Sequence, residues 1–577
     1  MPRFQGLAIV SALVVTAACG GQKARQAETD AALRSALRSS TRPAYVTADA
    51  EGARLWKLTR EFYEAREFAP AWIEDAKPRA EIDELIKALW AADHEGLDPQ
   101  LYSVRLIDGR RRDASRGFLS AKGFDPSEAG ALDVWLTYLY MKYSSDLADG
   151  LSDLAHADPV WKIKPEKFDP RAELEDALEK GRVAESLLDL TPQNEHYRRL
   201  RAALAEHRER AAKGGWPAVP SSVRLKPGQQ SAQVAALAAR LAASGDYDGP
   251  LPAAGAAATY TAALQEAARR FQRRHGLTDD GVVGAAVVTE MNVPIERRIR
   301  QIELNLERWR WLPRDLGERY VLVNIPEYRL EVWDGDKVPV TMRTVVGKQD
   351  TPTPIFNDEM TYLVFSPYWN VPPGIAEGET LPEIIRDPGF LQRTNIEVLD
   401  KAGSVIDPSA IDLSDPAQYR FRQRPGADNS LGLVKFMFPN QFDVYLHDTP
   451  ADSLFARASR SFSHGCVRLE RPLALAEYVL ADQPEWTPGR IQEAMHAQVE
   501  RIVKLRKPLP VYLGYWTARV SADGIVQFRP DVYGIDGRQL DLLADRLRRL
   551  RRSSAAAVAV VGGESGGTAR PSGNSTP

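Results

Sequence analysis

One cysteine, Cys466, stands in the run Ser463-His464-Gly465-Cys466-Val467-Arg468-Leu469, and a second histidine, His447, closes the nearby run Asp443-Val444-Tyr445-Leu446-His447. A free thiol has a pKa of about 8.5 and is mostly protonated at neutral pH, so an attacking cysteine needs an imidazole or another positive influence beside it. Gly465 lets a substrate carbonyl come close to the main chain, and the Cys466 amide then serves as donor to an oxyanion. Arg468 offers a rigid fork for a carboxylate. Two of only eight histidines flank this cysteine, a concentration that packing alone does not explain. The pattern points to acyl transfer by a cysteine nucleophile and a histidine base. Three other readings use the same residues. Cys466 as a buried structural thiol has a glycine and two histidines for walls, which make a poor apolar pocket. A zinc site of His447, His464 and Cys466 lacks a fourth ligand and has Arg468 ill-placed beside a cation. Arg468 could instead pair with Glu470. Spacing alone does not say which histidine is the base.

The chain holds only two cysteines, and the other, Cys19, ends an export-like N-terminus. Arg3 precedes an apolar stretch from Leu7 to Val15, too short to span a bilayer and suited to a signal sequence. The run Thr16-Ala17-Ala18-Cys19-Gly20 resembles the bacterial lipoprotein signal, in which the cysteine is acylated and becomes the first mature residue. The rival reading is ordinary cleavage after Ala17 or Ala18. With Cys19 acylated or removed, Cys466 is a lone thiol in an oxidising compartment and has no intramolecular disulfide partner. Acylation implies attachment to a membrane. Gly20 after the cysteine is not the Asp that signals inner-membrane retention, so a periplasmic protein on the outer membrane is the expectation.

Taken together, His447 and Ser463-His464-Gly465-Cys466-x-Arg468 resemble the signature of the YkuD-type L,D-transpeptidases, in their large periplasmic class. That resemblance implies Cys466 as nucleophile and His447 as the proton acceptor and donor on a neighbouring strand, with Gly465 contributing backbone to the oxyanion site. His464, Arg468, Tyr445 and Trp369 then lie about the substrate. It implies peptidoglycan stem peptides as substrate, no cofactor and no metal. The reaction implied is a 3→3 cross-link between diaminopimelate residues; a carboxypeptidase, a transpeptidase that anchors lipoproteins, and a non-catalytic wall-binding scaffold are the alternatives. Other wall-synthesis enzymes are candidate partners.

These residues require a scaffold of strands. Tyr320–Ile325 and Tyr328–Trp333 read as two strands about Pro326-Glu327, and further strands are expected at Met342–Val346, Thr361–Ser366, Val434–Phe438 and Val444–His447. Many short strands with turn signals favour a sandwich or partial barrel. A stretch of about 373–429 is too long for a bare loop and reads as an inserted lid. Upstream, Val234, Leu237 and Leu241, then Leu264, Ala267, Ala268 and Phe271, mark two amphipathic helices. With His275-Gly276-Leu277-Thr278-Asp279-Asp280-Gly281 they resemble a small peptidoglycan-binding-like domain. The region before them is helical by pattern, and Gly96-Leu97-Asp98-Pro99 resembles the scaffold domain of the larger L,D-transpeptidases. The expected fold is multidomain α+β. Its expected parts are a signal at 1–19, a linker at 20–43, a helical scaffold at 44–215 and the binding-like domain at 222–292. There follow a linking helix at 293–317, the mainly β catalytic domain at 318–480, a C-terminal extension at 481–552 and a disordered tail at 553–577.

At 577 residues the chain is too long for one core. Its 75 Lys and Arg against 78 Asp and Glu leave a net charge of −3, which argues against a partner held by a global basic field, nucleic acid above all.

Overall fold

The computed structural model describes residues 24–562 apart from 25, 40–41, 44, 75–76, 120–124, 152–157, 164–165, 388 and 413–414. Cys19 and the signal therefore lie outside the described residues. The expected multidomain α+β architecture is present, with helical units ahead of a β-rich unit. No helix among the described residues is long and apolar enough to cross a membrane.

The N-terminal unit is built from helices that include α1 (Ala50–Ala65), α2 (Pro126–Ala148) and α3 (Glu195–Ala212). Side-chain caps start two of them: Asp49 accepts from the Gly52 amide and Asn194 from the Tyr197 amide, satisfying donors that have no partner within the helix. The small module that follows has α4 (Val234–Ala243), α5 (Ala262–Arg274) and α6 (Ala285–Met291) around a core of its own, with Leu237, Leu241, Leu264 and Phe271 fully buried.

Helix α7 (Ile295–Arg310) ties the units together. Trp309 stacks on Trp516 at 4.4 Å and on His196 at 4.8 Å, so one continuous core runs from the helical unit to Ile535. Glu307 and Arg310 are buried in that core and pair, and Glu307 also accepts from the Trp311 indole at 2.8 Å. Charges taken out of water persist only when paired and hydrogen-bonded in this way.

The β-rich unit contains, in chain order, β1 (Arg319–Asn324), β2 (Arg329–Asp334), β3 (Lys337–Gly347), β4 (Phe356–Phe365), β5 (Trp369–Asn370), β6 (Ile396–Leu399), β7 (Val405–Ile406), β8 (Arg420–Gln423), β9 (Val434–Met437), β10 (Leu446–His447), β11 (Ser461–Ser463), β12 (Val467–Leu469) and β13 (Arg501–Gly514). Among the described residues nine strands form one sheet in the order β11-β3-β12-β10-β9-β4-β13-β1-β2, and a further β2–β3 pairing returns the sheet on itself. That pairing leaves β2 with no free edge, while β11 ends the sheet beside β3. The insertion forms a separate four-stranded sheet, β7-β6-β8-β5, over its own core of Val371, Leu381, Ile384, Leu391, Val398 and Phe421.

Two boundaries differ from the sequence reading. The catalytic sheet does not stop at residue 480: β13 pairs with β4 on one side and β1 on the other, in the middle of the sheet. Pro508 and Pro510 argue against a central strand, and the structure accommodates them with a register shift between Lys504 and Leu509. The last helix, α8 (Ile535–Gly562), runs on past Ser553, where a disordered tail was expected; its Ala-rich stretch favours helix. Within this helix Arg546 is buried and pairs with Glu51 at 2.7 Å.

Candidate active site

Strand pairing sets the site. β10 runs parallel to β12 with Leu446 opposite Val467 and His447 opposite Arg468, and the Val467 amide donates to the Tyr445 carbonyl at 3.2 Å. Cys466, half-buried, precedes β12 by one residue, so it enters the sheet beside the strand that carries His447.

The loop that presents the cysteine is braced at each residue. The Ser463 hydroxyl donates to the Cys466 carbonyl at 2.5 Å and accepts from the Gly465 amide at 3.2 Å. The Gly465 carbonyl accepts from the Thr353 hydroxyl at 2.8 Å, and the Ser463 carbonyl accepts from the Lys348 amide at 2.9 Å. Gly465 sits at φ +120°, a conformation that side-chain-bearing residues rarely adopt. Among the described residues the Cys466 amide has no acceptor, whereas the Gly465 amide is already engaged. The free donor for a developing oxyanion is thus the Cys466 amide.

His447 is buried, and its Nδ1 lies 2.5 Å from the Asp448 carbonyl oxygen. A carbonyl only accepts, so Nδ1 carries the proton and Nε2 is left as the acceptor. Burial, with the Arg468 charge second, pulls this imidazole down to about 3. The neighbouring Asp448 carboxylate is spent elsewhere, accepting from the Leu433 and Thr449 amides at 2.8 and 2.7 Å.

Burial pushes the Cys466 thiol up to about 11. In the resting arrangement Sγ donates to the Asp443 carbonyl at 3.7 Å, and no hydrogen bond to His447 is present among the described residues. The pair is therefore a neutral thiol and a neutral imidazole. Such a pair can act only if proton transfer accompanies attack, and catalytic hydrogen bonds are often loose before substrate arrives.

The other expected residues separate. Tyr445 stays with the centre: its ring lies 5.7 Å from that of His447, and burial followed by the Cys466 charge raises its hydroxyl. Arg468 also stays, half-buried, with no carboxylate partner among the described residues and its Nε without an acceptor. The salt bridge to Glu470 does not form, because Glu470 is taken by Arg343. His464 instead reaches out to Glu379 in the lid, Nε2 to Oε1 at 2.8 Å. That places it away from the proton path and off the zinc geometry; no cluster of three or more His, Cys, Asp or Glu suited to a metal occurs among the described residues. Trp369 belongs to the lid, paired with Gln423 and packed on the lid core.

Three residues were missed from sequence. Thr353 and Glu379 act across long separations and carry no local signal. Lys435 lies directly across from His447 on β9, with Nζ 5.9 Å from the Tyr445 ring centre. Its signal was present: Val434 and Phe436 are fully buried, so Lys435 alternates to the other face of a central strand.

Comparison with known proteins places these units. Residues 57–204 match the "Scaffold domain", residues 230–291 the "Putative peptidoglycan binding domain" and residues 318–493 the "L,D-transpeptidase catalytic domain" of the YkuD family. The chain therefore carries a YkuD-type L,D-transpeptidase catalytic domain, preceded in order by the scaffold and peptidoglycan-binding domains. A "Putative L,D-transpeptidase" of Haemophilus influenzae is 35% identical over 247 residues, 42% of this chain and 49% of that protein. The chain thus spans about half the length of the curated relative it matches. Among solved structures, an L,D-transpeptidase from Mycobacterium smegmatis shares 17% identity over 34% of this chain and 58% of its own, with a TM-score of 0.17. Mycobacterium tuberculosis L,D-transpeptidase 1 shares 14% over 34% and 60%, with a TM-score of 0.14.

Proposed function

We propose that this protein is a peptidoglycan L,D-transpeptidase working through a thioester on Cys466. The sulfur attacks the carbonyl at the L-centre of diaminopimelate in a donor tetrapeptide stem as its proton passes to His447 Nε2. The Cys466 amide holds the oxyanion. His447 returns the proton to the departing amine of the terminal D-Ala, and the acyl group stays on sulfur. The amine of a second stem then attacks, giving a 3→3 cross-link and restoring the thiol. Arg468 receives a donor carboxylate, and the lid, latched by His464 and Glu379, shields the thioester from water. The observation that carries the reading is the single-acceptor imidazole of His447 on the strand beside Cys466, next to an unpartnered arginine.

Comparing muropeptides from cells that carry the wild-type protein with those from cells that carry Cys466→Ala tests it. The expected result is loss of 3→3 dimers with tetrapeptide donors left uncut. A change confined to tripeptide monomers would mark a carboxypeptidase, a change in wall-bound lipoprotein an anchoring enzyme, and no change a binding scaffold.

We also propose that Cys19 is acylated and holds the protein to the outer membrane, facing the periplasm. Cys19→Ala is then expected to leave the protein unprocessed or to release it from the membrane fraction. Wild-type protein recovered wholly in the soluble periplasmic fraction would contradict the anchor.

A further inference from the structure

A cleft of 520 Å³ lies where three units meet, remote in sequence from the cysteine loop: helix α3, the small module of α4–α6, and the hairpin Ala518–Val520 with Val526–Phe528. His207, Arg210, Trp216, Arg240, Arg274 and Phe528 are among its walls. The volume is in the range of pockets that hold small ligands. Its lining includes five arginines and three carboxylates, so it carries an excess of positive charge.

The carboxylates are already used. Asp246 receives Arg274 through both oxygens, at 2.7 and 2.5 Å, and the Ser244 hydroxyl at 2.6 Å. Glu206 receives Arg210 at 2.7 Å, and Asp523 accepts from the Ser521 hydroxyl at 2.5 Å. Two guanidiniums are left without one. Arg270, at the surface, gives its donors to the main-chain oxygen of Asp246 at 2.6 and 3.2 Å. Arg240 is only 2% exposed; its Nε donates to the Met291 carbonyl at 2.8 Å, and its Nη1 is buried with no acceptor. The ring centre of Trp216 lies 4.4 Å from its central carbon, which holds the group in place without neutralising it. Burial, with the Arg274 charge second, pulls Arg240 down to about 9. An arginine so placed is costly to the fold, and a buried donor with no acceptor calls for one.

We propose that this cleft binds an anionic group, a carboxylate of a peptidoglycan stem peptide, with Arg240 as its buried anchor and Arg270 at its mouth. A guanidinium fork suits a planar carboxylate, and Trp216 stiffens the anchor. The cleft holds one stem of the wall while the cysteine centre works on another. That the anion is a stem carboxylate rests on the function proposed above; that the cleft takes an anion rests on its own residues.

The test uses the full chain with Cys466→Ala, which binds without turnover, and calorimetry at low salt. The probes are a disaccharide-tetrapeptide with a free diaminopimelate carboxyl, the same compound amidated there, and inorganic phosphate. Adding Arg468→Gln to the chain silences binding at the cysteine centre. In that background the free acid is expected to bind at least tenfold more tightly than the amide, and Arg240→Met or Arg270→Glu to weaken it at least tenfold. Arg240→Met removes a buried charge at similar volume, so its melting temperature is expected to hold or rise, and its Cys466 acylation rate, with the cysteine restored, to stay within twofold. Unchanged affinity in both variants, equal affinity for acid and amide, tighter binding of phosphate than of the acid, or a lowered melting temperature with binding intact would each overturn the proposal. Failure of the proposed catalysis would look different, as absence of a Cys466 adduct with binding at the cleft retained.

Discussion

Replacing His447 with alanine is expected to slow acylation of Cys466 at pH 7 by about a hundredfold or more, the range of a general base, and to change the shape of its pH profile. The sign follows from the two shifts. His447 is pulled down to about 3, so its neutral, proton-accepting form is present throughout the range above pH 4. Cys466 is pushed up to about 11, so the thiol keeps its proton until well above neutrality and loses it only during attack. The wild-type rate is therefore expected to be flat between pH 5 and 9. Without His447 only pre-formed thiolate reacts, about one part in ten thousand at pH 7 for a pKa of about 11. Its rate should then climb about tenfold per pH unit. Stopped-flow acylation by a carbapenem across pH reads both slopes. A sloping wild-type profile, or a flat profile in His447→Ala, would mean that another group takes the proton; His464 would be the first to examine by the same series.

Gly465→Ala is expected to cost about a hundredfold in acylation while the protein stays folded. Space is not the obstacle, since an added Cβ would meet nothing nearer than the Pro352 carbonyl at 3.9 Å. Conformation is: at φ +120° an alanine is strained by about 1–3 kcal/mol. Relief of that strain would turn the loop and break its bonds from Thr353 and to Ser463, moving the Cys466 amide and sulfur together. A misplacement of about 1 Å at the reacting atoms is enough for a loss of that size. Circular dichroism and melting should show a folded protein, and an acylation rate within threefold of wild type would refute the role of this turn.

The centre was legible where its parts are close in sequence. Cys466, Gly465 and Arg468 share one short run, and the alternation ending at His447 marks the strand next to it. The orienting group was not legible from side chains at all, because Nδ1 is held by the Asp448 carbonyl; the adjacent carboxylate is a decoy. The partners of His464 and Trp369 were not legible from residue type: both residues contact the lid, one through Glu379 and the other through Gln423. Those partners lie some tens of residues away, and pairing across an inserted sheet leaves no local trace. The same holds for β13, whose two prolines hide a central strand until its irregular register is seen. Arg240 is hidden for a related reason. On an amphipathic helix an arginine reads as solvated, and only the packing of α5 and Trp216 around it removes the water.

The most direct test of the cysteine centre is the intact mass of the full chain after incubation with a carbapenem, followed by peptide mapping. The wild-type protein is expected to gain the mass of one opened β-lactam on Cys466, and Cys466→Ala to gain none at the same concentration and time. An adduct that survives in Cys466→Ala, or a folded wild-type protein that gains no mass, would contradict a nucleophilic Cys466.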